Sequence, residues 1–386
     1  MPSAQWNGPL SGLVVADFSR ILAGPYSTML LADMGAEVIK VEGPGGDDTR
    51  TWVPPVRGEV STYYLSINRN KKSVVLNLKD DDDLAVARRI ADRADVFIEN
   101  FRPGSLSKFG LNYAALAERN PGVIYASISG FGTGDGAGFP GYDLMVQAVS
   151  GLMSLTGSPE GPPYRAGISV FDVVTGLHAT IGILAALNAR NDTGKGQHVE
   201  VNLLSSALSG LVNQTGAFVA GDNVPTRMGN AHPSLFPYEP LPAADGDIII
   251  IAGNDGQFTR LCDVLGTPEL VDDPRFATNA DRTKNREELR PLLEKPLRER
   301  SKAEWFERLI AAGVASGPIN SIAEGVGFAE RLGLEPVVEV GTGDSMVPSI
   351  RNPITFSENR LRYELPPPKL GEHTAEIRAW AAGEDA

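Results

Sequence analysis

The strongest constraint on this chain is an alternation that runs from residue 13 to residue 131. LVVADFS reads as a short buried strand, and PYSTMLLADM as a helix with Pro25 in its first turn and Gly35 closing it. EVIKVE is a second strand. The pattern then repeats through SVVLNL, the acid-capped helix DDDDLAVARRIADRA, strand DVFIENF, helix NYAALAERN and strand VIYASISGF. Strands separated by helices cannot pair as hairpins, so the expected class is α/β, with a parallel sheet covered by helices on both faces. Such sheets bind ligands beyond the carboxyl ends of their strands.

A second region begins near Arg227 and holds the strand DIIIIAG, a helix through QFTRLCDVLG, and the charged helices NREELRPLLEKPLRER and KAEWFERLIAAG. With 386 residues the chain has room for two domains. Between Gly43 and Tyr63 lies a Gly-, Pro- and charge-rich stretch too long for an ordinary connection, which marks it as functional. DVVTGLHATIGILAALNAR, with Gly176, Ala179, Gly182, Ala185 and Ala186, reads as a buried central helix. As a membrane span its apolar run is short and interrupted by Thr, His and Asn, and the opening MPSAQWNGPL lacks a basic region followed by an apolar core.

Composition narrows the partners. A net charge of −13 opposes nucleic acid and anionic membranes as ligands, but leaves room for one anion held by local cations. Cys262 is the sole cysteine, so no intrachain disulfide or cysteine metal cage can form, and a reducing, cytoplasmic setting is expected. His178, His198, His232 and His373 form no metal-ligand pair by spacing, so no metal is expected.

GAGFPGYDLMVQA, Gly136 to Ala148, raises the question of chemistry. Gly136-x-Gly138-x-x-Gly141 matches the dinucleotide fingerprint, but it follows about the fifth strand rather than the first, and Pro140 precedes its last glycine. The acid after it is more informative. Asp143 opens one helix, and Asp172 opens another after the strand-like AGISVF. An ordinary N-cap is one reading of Asp143, an active-site acid the other. Asp172 heads an almost wholly apolar helix, where a helix dipole favours an ionised, nucleophilic carboxylate. Cations cluster in the same half: Arg20, Lys71, Lys72, Lys79, Arg102 and Lys108, several near carboxyl ends of strands.

DFSRILAGPYSTMLLADMGAEVIKVE, NRNKKSVVLNLK, ADVFIENFRPGSLSKFGL, PGYDLMVQAVSGLMSLTG, GISVFDVVTGLHATIGILAAL, TGKGQHVEV and PKLGEHT together resemble the family III CoA-transferases, which include α-methylacyl-CoA racemase among their relatives. The resemblance covers nearly the whole chain. It implies a large Rossmann-like CoA domain from residues 1–226 and 321–386, a small α+β domain from 227–320, and an interlocked homodimer of ring-shaped chains. Asp172 matches the family's nucleophile and Asp143 a second active-site acid. Leu22 and Trp52 match acyl-site positions; Ile21, Leu76, Lys79, Asn100, Phe101 and Lys108 match contacts of coenzyme A, the acyl-CoA co-substrate.

Departures from formyl-CoA transferase shape the rest. That enzyme has an arginine at the position of Gly43 and a lysine at that of Pro140, so Arg20, Lys40 or Lys72, with Arg102, would supply the charge for CoA. Its run of glycines over the acyl site is replaced by RMGNA, which puts Gly229, Asn230 and His232 beside the substrate. Tyr142 stands where the racemase branch has a histidine, and a phenol is a poor α-proton carrier at neutral pH. The expectation is therefore an acyl-CoA:carboxylate CoA-transferase working through an aspartyl anhydride and an aspartyl-CoA thioester. Arg50 and Arg165 are candidates for the second carboxylate of a small dicarboxylic acid. The alternatives are a racemase, a thioester hydrolase and a non-catalytic CoA-binding paralogue.

Overall fold

The computed structural model describes residues 8–384, so the first seven residues of the N-terminal stretch lie outside it. Two compact units emerge: one comprises the chain up to Leu152, Ala166–Asn223 and the chain from Glu335 onward, the other Met153–Arg165 and Val224–Leu334. The short segment 153–165 and residues 321–334 thus lie with the second unit, not the first.

The first unit is built on six strands: β1 (Val14–Asp17), β2 (Glu37–Glu42), β3 (Lys71–Val75), β4 (Val96–Glu99), β5 (Ile124–Ser129) and β6 (Gln197–Asn202). All five pairings are parallel and the spatial order is β3-β2-β1-β4-β5-β6. That is the doubly wound dinucleotide-fold order, in which chain direction reverses between β1 and β4 and opens a crevice at their carboxyl ends. The helices that matter to the site are α1 (Ala23–Asp33), α2 (Thr62–Ile67), α3 (Asp81–Arg93), α4 (Tyr113–Arg119), α5 (Asp143–Val149), α6 (Val170–Thr193) and α7 (Leu203–Gly210). Apolar residues of α1, α6 and α7 cover one face of the sheet, and those of α3 and the C-terminal helix Thr374–Ala382 cover the other.

The helix carrying Asp172 differs from its sequence reading in three ways. It begins at Val170, so Asp172 is its third residue and not its first. AGISVF is no strand; residues 166–169 are irregular. At 24 residues α6 is long and apolar enough to cross a membrane, and it is buried on one side only. Ala179, Ile183 and Ala186 pack into the core, while Leu177 and Ile181 on the opposite face are exposed. Gly176 is required where α6 crosses α1: a Cβ there would stand 2.6 Å from the Ala23 carbonyl oxygen.

The second unit pairs three antiparallel strands, Tyr238–Ala243, Gly246–Ile251 and Ala315–Pro318, with the middle strand hydrogen-bonded to both others. Helices Asp255–Leu265, Arg286–Leu297 and Lys302–Ala311 bury Phe258, Leu293 and Trp305 against it. Arg282 is fully buried among them, held by backbone carbonyls and Asp255.

Candidate active site

A cavity of about 400 Å³ opens where the sheet order predicts it, between the segments that follow β1 and β4. Arg20, Ile21 and Leu22 come from the first segment; Asn100, Phe101 and Arg102 come from the second. The two are stitched by Asn100, whose side chain accepts from the Arg20 backbone amide at 2.9 Å and donates to the Arg20 carbonyl at 2.7 Å. Trp52 and Tyr63 form a wall, edge to face with ring centroids 5.1 Å apart. The remaining wall is the loop after β5 and the starts of α5 and α6, which bring in Tyr142, Asp143, Ser169 and Asp172.

Glycines let that loop close on itself. A Cβ on Gly130 would stand 2.5 Å from the Gly141 Cα, so only glycine allows the two ends of the loop to touch. This contact delivers Asp143 to the start of α6. One oxygen of Asp143 accepts from the Phe171 amide at 2.8 Å and the Asp172 amide at 3.3 Å. Ser169, in the N-cap position of α6, makes no side-chain cap. Asp143 therefore caps, through space, the helix that carries the other acid.

This changes the charge expected at Asp172. The sequence reading had the helix dipole favouring an ionised carboxylate, but the free amides of that helix end are engaged by Asp143. Burial, and then the Asp143 charge, push the Asp172 carboxyl up to about 7. The same surroundings push the Tyr63 phenol, which shares a hydrogen bond with Ser169, up to about 12, burial first and Asp172 next.

Of the sequence-nominated residues, the cavity gathers Asp172, Asp143, Ile21, Leu22, Trp52, Asn100, Phe101, Arg102 and Tyr142. Others are placed elsewhere. Lys40 is wholly buried, donating to Asp47 at 2.8 Å and to the Ser19 carbonyl at 3.1 Å, so it is a scaffold cation. Lys72 bridges Glu37 at 2.6 Å and Glu376 at 2.7 Å. Arg50 is locked to both Glu42 oxygens at 2.8 and 2.7 Å and lies 3.8 Å over the Tyr64 ring, so it is not a receptor for a substrate carboxylate. Leu76 is a core residue. Lys79 and Lys108 are exposed and line no part of this cavity, Lys108 lying 4.9 Å over the Phe109 ring. Gly229, Asn230, His232 and Arg165 belong to the second unit; the His232 ring accepts from the Ser234 amide at 3.0 Å.

Arg20 is the cation best placed at the cavity. Its side chain is half exposed, 5.2 Å over the Phe101 ring and a loose 3.9 Å from Asp48. Two residues were missed in the sequence. Tyr63 ends the Gly-, Pro- and charge-rich stretch of the sequence and sits in the short helix α2, which gave no periodic signal. Gln147 touches Asp143 one helical turn on, and that spacing, Asp then Gln at i+4, is readable.

The model of CoA-transferase family III matches residues 10–374 of the chain. The chain belongs to CoA-transferase family III. Over 96% of its length this family III CoA-transferase is 45% identical to succinate–glutarate CoA-transferase of Agrobacterium fabrum (strain C58 / ATCC 33970), covering 95% of that protein. It is 43% identical to acetyl-CoA:oxalate CoA-transferase of Acetobacter aceti, covering 99% of this chain and 98% of that one. Among solved structures it resembles a CaiB/BaiF family protein from Brucella suis, with a TM-score of 0.87 and 43% identity over 97% of this chain and all of that one. A family III enzyme acts on CoA thioesters, and the six-stranded parallel sheet provides the α/β frame for it.

Proposed function

We propose that this enzyme transfers CoA between small dicarboxylic acids, with Asp172 as the nucleophile. The observation that carries the proposal is a part-buried carboxylate at the wall of the cavity, with a like charge beside it and, among the described residues, no paired cation. An Asp172 oxygen attacks the thioester carbonyl carbon of the donor; the C–S bond breaks, CoA leaves as thiolate, and a mixed anhydride remains. The thiolate then attacks the Asp172 carboxyl carbon and expels the donor acid as carboxylate, leaving an aspartyl-CoA thioester. The acceptor carboxylate attacks that thioester and expels CoA thiolate, forming a second mixed anhydride; the thiolate then attacks the acceptor's carbonyl carbon, releasing the new acyl-CoA and the Asp172 carboxylate. No net proton moves, which suits a site with two acids and no histidine.

A carboxyl with a pKa about 7 is a stronger nucleophile, once ionised, than an ordinary aspartate, which favours its attack on the donor thioester. Backbone amides of the glycine-rich loop are candidates for stabilising the tetrahedral oxyanion. Arg20 and Arg102 supply positive charge for the anionic parts of the substrates. The names of the relatives, which pair succinate with glutarate and acetyl-CoA with oxalate, support a dicarboxylic acid as acceptor.

The bare outer face of α6 and the exposed Phe218 and Val219 support a homodimer, and the single buried cysteine supports a cytoplasmic setting. Light scattering that returned a monomer would exclude the dimer.

The deciding experiment incubates the protein with succinyl-CoA and a panel of dicarboxylic acids and follows new acyl-CoA masses. Asp172→Ala is expected to reduce transfer to background while CoA binding stays measurable. Wild-type turnover by that variant would refute the assignment.

A further inference from the structure

Gln147 is fully buried, and every hydrogen-bonding group of its amide has a partner. Its Nε2 donates to the second oxygen of Asp143 at 2.5 Å and to the Ile168 carbonyl at 3.2 Å; its Oε1 accepts from the Ala166 amide at 2.8 Å. A buried primary amide is costly unless satisfied, and here the satisfying groups come from two separate segments. One is the start of α5. The other is residues 166–168, the irregular stretch that leads into α6 and has no ladder of its own to hold it.

We propose that Gln147 is a positioning residue for the transfer reaction: its amide fixes Asp143 and the 166–168 segment together, and so sets the orientation in which Asp172 meets the cavity. The proposal rests on Asp172 being the nucleophile. Asp143 has two oxygens, one given to the α6 amides and one to Gln147. If the second contact is lost, Asp143 can rotate about its last bond and the cap on α6 slackens. Three residues into that helix, Asp172 moves with it. In near-attack chemistry a misplacement of about 1 Å costs roughly a hundredfold in rate.

The test compares three variants with the wild type and with Asp172→Ala in the same transfer assay, with thermal melting to establish folding. Gln147→Leu keeps the volume and removes all three hydrogen bonds; kcat is expected to fall ten- to a hundredfold while KM for acyl-CoA changes less than threefold. Gln147→Glu places a carboxyl against Asp143, beside Asp172 on α6 and Tyr63 on α2. That pair can hydrogen-bond only while it shares a proton, so activity relative to wild type is expected to recover as pH is lowered. In the exchanged pair Asp143→Asn with Gln147→Glu, the amide and carboxylate trade places; the hydrogen bonds between positions 143 and 147 and from the Ala166 amide are retained, and the one to the Ile168 carbonyl is lost. At least a tenfold recovery of kcat over Gln147→Glu at pH 8 is expected. The proposal is overturned if Gln147→Leu, folded, turns over within twofold of wild type, or if the exchanged pair recovers nothing and Gln147→Glu has the wild-type pH profile. Either result leaves the nucleophile standing so long as Asp172→Ala is inactive. Activity in Asp172→Ala would instead refute the parent mechanism.

Discussion

Two clusters of buried acids lie in the first unit, and they are treated in opposite ways. Under β1–β3, Asp17, Glu42 and Asp47 are answered by Lys71, Arg50 and Lys40, with Ser19, Thr28, Thr49 and Ser73 filling the remaining hydrogen bonds. Burial alone raises these three carboxyls, and the neighbouring cations more than offset it, so all three end below the ordinary range. At the cavity, burial is met by a second acid, and Asp172 ends at about 7. A carboxyl group is a rivet when sunk in the core beside cations, and a reactive group when part-buried at the cavity wall. What separates the two is whether a cation faces the acid.

Breaking the first cluster gives the largest expected effect on stability. Lys40→Met leaves Asp47 buried and uncompensated; breaking such a pair costs roughly 3–5 kcal/mol, read as a shift in the denaturant midpoint. Lys40→Met combined with Asp47→Leu should recover much of that loss, because an apolar pair of similar volume is often nearly neutral.

The second cluster is sharpened by pH. Asp172 must be ionised to attack, so kcat/KM for the wild type is expected to rise with pH and level off above about 7. In Asp143→Asn the cap oxygen is kept, the Gln147 hydrogen bond is lost and the like charge is gone, so the plateau should fall while the rising limb moves to lower pH. An unmoved limb would show that burial alone sets the titration.

A smaller effect sets the clusters against each other in stability. Asp172 has a folded pKa above its unfolded value, so the folded state holds the extra proton: its cost is absent below pH about 4, grows through the interval, and is complete above about 7. Asp17, Glu42 and Asp47 have folded pKa values below their unfolded ones; their contribution is present above pH about 4 and is lost as pH falls through the lower folded values. Asp172→Asn should therefore raise the melting temperature at pH 8 and leave it nearly unchanged at pH 4.

Sequence patterning revealed the sheet better than it revealed the charges. β2 falls on EVIKVE residue for residue, because three β-branched residues around a single lysine, with Glu at both ends, favour a short strand. β3 lies two residues earlier than SVVLNL suggests: Lys71 and Lys72 read as loop charges, and Asp17, distant in sequence, with the Pro25 carbonyl and Asn68, makes a buried lysine there tolerable. β6 gave no signal because His198 and Glu200 make an edge strand look polar. The two acids of the site were found, but the ionisation of Asp172 was misjudged, since its helix is capped from 29 residues away. Arg50 and Lys40 were nominated for ligands because pairing with Glu42 and Asp47 depends on how the long loop folds.

Ile21 shows what the riveted cluster does for the cavity. It is a β-branched residue at φ 70°, a backbone region that such side chains avoid, and its amide leans on the same Asp47 carboxylate that holds Lys40, at 3.3 and 3.4 Å. The pocket wall is thereby tensioned from inside the molecule. Side chains around the rim, such as Trp52 and Leu144, are open to exchange by an engineer seeking a different acid, whereas the curve of the wall at residue 21 is inherited from an anchor no ligand ever meets.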